Sequence, residues 1–230
     1  MISIDLIWII LLASYIAVFG AVILLSVLEM RAHKTEEYSF LRNFPYEMVN
    51  NESKNSRLYK IFLFIFAGLC FAPLFDIVPN ISYFGGMSTF AIIVAIVFGF
   101  SGVIAAGIHL FEARFVKVHT FLATLLMAMT FLSNALAAVY SGVTFKTLEN
   151  FGNGRVFTII LMVISSIIAL GVLALMLNPK LKDWAKLEVK KDGDQVSYAR
   201  PKVFSLAFTE WLTIFALFAG EIIFFLSLIK

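Results

Sequence analysis

Six long apolar runs constrain this chain more than any single residue does: 4–28, 59–78, 87–110, 117–140, 156–177 and 203–229. Each is near or above the ~20 residues an α-helix needs to cross ~30 Å of hydrocarbon. Lipid offers no hydrogen-bond partner to the backbone, so a run of this kind satisfies itself as a helix. The expected fold class is an all-α membrane protein, a bundle of six transmembrane helices, numbered here as spans 1 to 6.

The loops orient the bundle, because Lys and Arg close to a span resist translocation. Arg31, Lys34, Arg42, Lys54, Arg57 and Lys60 surround the first loop, Arg114 and Lys117 the third, and Lys180, Lys182, Lys186, Lys190, Lys191, Arg200 and Lys202 the fifth. Fifteen of the eighteen basic residues therefore fall on one side, leaving Lys146, Arg155 and Lys230 on the other. The expectation is a multi-pass protein of the cell membrane with both termini outside and loops 29–58, 111–116 and 178–202 in the cytoplasm.

With 61% of 230 residues hydrophobic and 14% charged, little sequence remains outside the spans. Neither long loop is apolar enough to build a core of its own, so residues 1–230 read as a single transmembrane domain. The net charge of +3 follows from the topology signals rather than from a basic stripe, and no nucleic-acid partner is implied. The lone Cys70 lies inside span 2, where no intrachain disulfide is open to it, and reads as a small packing residue. The N-terminus has no basic n-region and its apolar run is too long for a signal-peptide core, so span 1 is expected to be retained.

Turn-forming residues agree with the span ends. Val78-Pro79-Asn80 closes span 2, Gly85-Gly86 precedes span 3, Gly152-Asn153-Gly154 precedes span 5 and Asn178-Pro179 ends it. In loop 5, Leu187 and Val189 alternate with charges ahead of Lys191-Asp192-Gly193-Asp194, and Val196 and Tyr198 resume the alternation. A small β-hairpin and a solvated linker are equal readings of that stretch. Small residues at four-residue spacing, Ala95 with Gly99 and Gly102 with Ala106 on span 3, and Ser133, Ala137 and Ser141 beside Asn134, Ala138 and Gly142 on span 4, point to a tight central pair of helices.

A carboxyl group in hydrocarbon costs several kcal/mol and faces a cavity or a partner. Span 6 carries two, Glu210 and Glu221, eleven residues apart, hence on one helix face to within about 20° and separated by ~16 Å along the axis. One reading is a polar path in which Glu221, Glu210, Asn134 and Ser133 bind or relay a proton or cation. The other is that each carboxyl is tied to a neighbouring helix and fixes its packing, with Thr130, Ser133, Asn134, Ser165 and Ser166 as the partners within reach.

His33, His109 and His119 are all expected near the cytoplasmic side, close to Glu112. Gathered around zinc they would activate water against a lipid ester or amide, but no compact His-Glu motif of a metallohydrolase is present. No metal and no cofactor are expected. Loop 1 is less ordinary, because Tyr38, Phe40, Leu41, Phe44, Tyr46 and Met48 interrupt a polar stretch. Those rings want cover, either as an elbow along the headgroups or through Phe44 and Tyr46 as a dock for another membrane subunit or a second copy of the chain.

Three function classes follow in order. First is a protein that conducts or translocates a solute, ion or lipid through its bundle. Second is a non-catalytic subunit or scaffold of a larger membrane complex, and third a histidine-dependent lipid hydrolase.

Overall fold

A computed structural model of the chain describes residues 4–32, 39–48, 53–111, 115–147, 152–183, 188–192, 195–199 and 201–228. Six of its helices are long and apolar enough to cross a membrane. Span 1 is helix α1 (Ile4–Ala32). Span 2 is built from α2 (Lys54–Leu69) and α3 (Ala72–Ile77), followed by a 3-10 turn and the single-turn α4 (Ile81–Phe84). Spans 3, 4 and 5 are α5 (Ser88–Leu110), α6 (Val116–Thr147) and α7 (Gly152–Met176), and span 6 is α8 (Ser205–Ser227). The helices overrun the apolar runs because a helix does not stop where hydrocarbon does: α6 continues seven residues beyond 140.

The departure from an all-α fold is in loop 5. Strands β1 (Glu188–Asp192) and β2 (Gln195–Ala199) form an antiparallel pair with Val189 opposite Tyr198 and Lys191 opposite Val196. Of the two readings of that stretch, the hairpin is the one adopted.

Span 2 is not one helix. Pro73 occupies the first turn of α3, where its ring displaces the carbonyl of Leu69 and its nitrogen has no hydrogen to offer that oxygen. The chain breaks at Cys70 and Phe71, which bond back to Phe66 and Gly68 instead. The break drives two bulky groups onto α5. A Cβ on Gly99 would stand 2.2 Å from the Phe71 ring, and one on Gly102 would stand 2.5 Å from Cys70 Sγ.

The expected pair of spans 3 and 4 forms, but without Gly99 and Gly102, which face span 2. Helices α5 and α6 do pack together, yet the most extensive interface is between α6 and α7, where Gly142 faces Met162. The glycines of span 3 serve span 2. The innermost helix is α8, 61% buried over its apolar window against 17% for α1 and 22% for α7. Around it stand the fully enclosed rings of Tyr15, Phe66, Phe98, Trp211, Phe224 and Phe225, with Phe98 and Phe224 stacked at 5.6 Å. Large apolar side chains such as Ile9, Phe64, Phe100, Phe121, Ile167 and Leu170 stand exposed on the outside, a surface suited to hydrocarbon rather than water.

Two local devices set the ends of spans 1 to 3. Ser53 caps α2 by accepting from Ser56 N and donates to the Glu29 carboxylate at 2.8–2.9 Å, which fastens the start of α2 to the end of α1. Gly85, at φ 53°, makes the turn into span 3 in a conformation that suits a residue without Cβ.

Filling the α5 contact tests the break. Gly102→Ala is expected to cost about 1–3 kcal/mol by overpacking against Cys70. Gly107→Ala, whose Cβ would meet nothing within 4 Å, stays within ~0.5 kcal/mol of the parent. Thermal unfolding of the two variants in mild detergent measures the difference.

Candidate functional site

Polar side chains within the spans mostly satisfy themselves on their own helix. Ser26, Ser101, Thr144, Ser166 and Thr213 each donate to the carbonyl four residues back, the local bond that lets hydroxyls sit in an apolar helix. Ser133 donates to Thr130 O at 3.0 Å and Asn134 Nδ2 to the same oxygen at 2.9 Å. Buried polar atoms left without a partner in good hydrogen-bond geometry among the described residues include those of Tyr59, Thr120, Thr130, Ser141 and Ser165 as well as Thr209, Glu210 and Glu221 on α8, and the two carboxyl groups of α8 are the carboxylic acids among them.

The first site lies around Glu221. Its side chain is 0% exposed, and its polar neighbours are the Tyr15 hydroxyl from α1 and the Cys70 thiol from the break in span 2, which interact with the carboxyl without either of them meeting a carboxyl oxygen in good hydrogen-bond geometry. Aromatic rings close the remaining directions: Tyr15 stacks on Phe66 at 5.4 Å and on Phe218 at 5.3 Å, with Phe225 tilted at 6.0 Å. Next along α8, a Cβ on Gly220 would lie 2.0 Å from Asn134 Oδ1, so the Asn134 amide rests against the bare backbone of Gly220. Its Oδ1 is another buried acceptor without a donor.

The site thus gathers an acid, a phenol, a thiol and an amide from four different helical segments, with no Lys or Arg among the groups that act on Glu221. A carboxyl so enclosed needs its charge compensated by a proton or a bound cation.

The second site is at the other end of α8. His119 Nε2 and Glu210 Oε1 are 2.9 Å apart, with side chains 0% and 1% exposed. His119 Nδ1 donates to the carbonyl of Phe111 at 2.9 Å, a group at the C-terminal end of α5 that the helix leaves without a partner. Glu210 Oε2 has none. His109 lies apart: its Nδ1 donates to Ala105 O, its Nε2 is unpartnered, and its ring sits 5.6 Å from Tyr59 and 6.0 Å from Trp211.

Over this second site folds the aromatic stretch of loop 1. Residues 39–48 make a compact turn held by Ser39 N to Asn43 Oδ1 and by Asn43 Nδ2 to Glu47 Oε2, ending in a 3-10 turn at Pro45–Met48. It is tied to α8 by Trp211 Nε1 donating to Asn43 O at 2.9 Å and Phe204 N to Leu41 O at 2.7 Å. Phe44, 2% exposed, meets His119 at 5.2 Å and Phe204 at 5.3 Å, and Tyr46 meets His119 at 5.5 Å. Phe44 and Met48 are buried within this chain, Phe40 and Tyr46 are half-buried, Leu41 stands exposed, and Tyr38 lies outside the described residues.

Of the residues singled out in the sequence, the fold places Asn134 against the backbone next to Glu221, whereas Ser133 is spent on its own helix. Glu210 finds none of the expected serine, threonine and asparagine partners. Among the described residues no group of three metal-ligating side chains gathers. Of the proposed zinc set, His33 and Glu112 lie outside those residues, and His119 is taken by Glu210 and Phe111. Tyr15, Cys70 and the His119–Glu210 pairing were missed. The signal for the pair was present, since His119 and Glu210 each sit just inside the loop-bearing end of a span.

These features define a six-span helical membrane protein with two enclosed ionisable sites on its innermost helix. No family model, no curated protein and no solved structure matches the chain.

Removing one member of the inner pair separates its roles. His119→Ala leaves Glu210 enclosed without its partner and is expected to cost about 3–5 kcal/mol. Glu210→Gln keeps an N–H donor toward His119 Nε2 and is expected to cost no more than ~1.5 kcal/mol. Midpoints of thermal loss of monodisperse protein in detergent report both, and equal losses would show that the hydrogen bond is not what holds the site.

Proposed function

We propose that this protein translocates a proton or a small cation through its bundle along the face of α8, with Glu221 as the binding residue nearer the outer end and Glu210 nearer the loop-1 end. The observation that carries this reading is the state of Glu221: a fully enclosed carboxyl on the innermost helix of the bundle, whose polar neighbours are a phenol and a thiol and no base. Hydroxyls with a packing role, such as Ser133 and Thr213, are closed on their own helix, whereas Glu221 meets only weak acids from other segments. The adjacent break in span 2 supports the same reading, because interrupted helices are how membrane bundles bring flexible backbone to an ion site. The chemistry of the site, acid with phenol, thiol and amide, suits a positive charge rather than an anion or a lipid phosphate.

Two observations rank the other classes below this one: Phe44 is enclosed within the chain, and among the described residues His109 and His119 do not gather with a third metal-ligating side chain. The orientation proposed with this function keeps both termini outside and the 39–48 segment in the cytoplasm, following the basic loops.

Reconstituted vesicles test it. With a potassium diffusion potential imposed by valinomycin and a pH-sensitive dye inside, the parent is expected to carry proton current, and Glu221→Gln to fall to the level of protein-free vesicles while eluting as folded protein. Sodium and lithium gradients replace the proton in parallel assays. Flux in Glu221→Gln equal to that of the parent sinks the proposal.

A further inference from the structure

The hydrogen bonds of His119 fix how many protons the inner pair holds. A carbonyl oxygen only accepts, so the 2.9 Å contact with Phe111 O places a hydrogen on Nδ1. Nε2 then faces Glu210 Oε1 at 2.9 Å, a distance at which two bare lone pairs would repel. One proton therefore lies between them, either on the imidazole as an ion pair or on the carboxyl as a neutral acid donating to Nε2. Both forms have zero net charge, which is what lets an acid and a base stay enclosed at 1% exposure or less.

The pair is sealed by one segment. Phe44 and Tyr46 present ring faces and edges to His119, and two bonds into the main-chain carbonyls of Leu41 and Asn43 hold residues 39–48 against α8. The other titratable groups around the pair are few among the described residues. Glu47 on the segment acts electrostatically on Glu210 and is anchored by Asn43. Arg42, half-buried, and Tyr46 lie on the same segment, the His109 ring packs on both Trp211 and Tyr59, and Lys117 on α6 is exposed.

We infer that His119 and Glu210 form a proton-binding site at the loop-1 end of the bundle, and that the segment 39–48 is the lid whose lifting lets the site exchange with water. On unloading, the shared proton passes to a water molecule as hydronium, leaving a neutral imidazole and a carboxylate; reloading reverses the step. With the lid down the proton only moves between the two partners. What the exchange serves in the cell rests on the translocation reading, whereas exchange at His119 is read without any flux, so the two fail separately.

Deuterium exchange at the imidazole C2 position of His119, followed by mass spectrometry of the full-length protein in lipid nanodiscs, tests the lid. Exchange in the parent is expected to be far slower than in the denatured chain, and Phe44→Ala with Tyr46→Ala to accelerate it roughly tenfold or more, as the release of a local closed state does. Trp211→Phe, which deletes the bond to Asn43 O while keeping a ring at that position, serves if the double variant does not fold and is expected to give a smaller rise. Exchange at the denatured rate in the parent, or no acceleration in either variant that folds, overturns the lid. The pH profile of exchange at His119 tests the shared proton: it is expected to change in Glu210→Gln, and superimposable profiles overturn the dyad.

Discussion

The structure depends on the cost of placing two carboxyl groups in a helix that has no water to turn toward. Glu210 and Glu221 share one face of α8, so the helix cannot lie at the lipid boundary, where both would meet hydrocarbon. It is instead the most enclosed of the six spans, and three of the other helices bring polar groups to it. Helix α6 gives His119 to the one carboxyl and lays Asn134 beside the other; α1 gives Tyr15; the end of α2 gives Cys70. The periphery is built on the opposite principle, with α1 and α7 showing most of their apolar surface outward.

The two carboxyls meet different answers. Glu210 is balanced within the chain by a base at hydrogen-bond distance, so its site is complete without a bound ion. Glu221 is surrounded by groups that are weak acids or neutral dipoles, none of which balances a negative charge. A carrier of positive charge thus finds an internally buffered station at one depth and an open one at another, ~16 Å apart along a single helix. Between the two, Thr213 is closed on its own backbone and Leu217 is fully buried, so passage from one to the other calls for movement of helices rather than a standing wire of hydrogen bonds.

The spans were legible because hydropathy and loop charge are one-dimensional signals, and turn residues such as Gly85 act within a few positions of themselves. Pro73 was equally visible, yet a proline inside a long apolar run does not change its mean hydropathy, and the break it makes became apparent only through what it pushes onto Gly99 and Gly102. The spacing of Glu210 and Glu221 was legible from helix geometry alone. Their partners were not, since pairing across helices depends on the order in which spans pack. Tyr15 and Cys70 look like ordinary apolar-span residues until α1 and span 2 are wrapped around α8. His119 was read with the other histidines of its side of the membrane, when the feature that mattered was its equal depth with Glu210.

The way the 39–48 segment is fastened has a genetic consequence. Both ties to α8 end on main-chain carbonyls, at Leu41 and Asn43, and no side-chain substitution deletes a carbonyl. One of the two donors is also a backbone group, Phe204 N, which leaves the Trp211 indole as the one of these two bonds that a side-chain substitution erases. Loop 1 therefore keeps both acceptors whatever its side chains, and a looser closure can be reached from α8, at position 211, as well as through the rings of the segment itself.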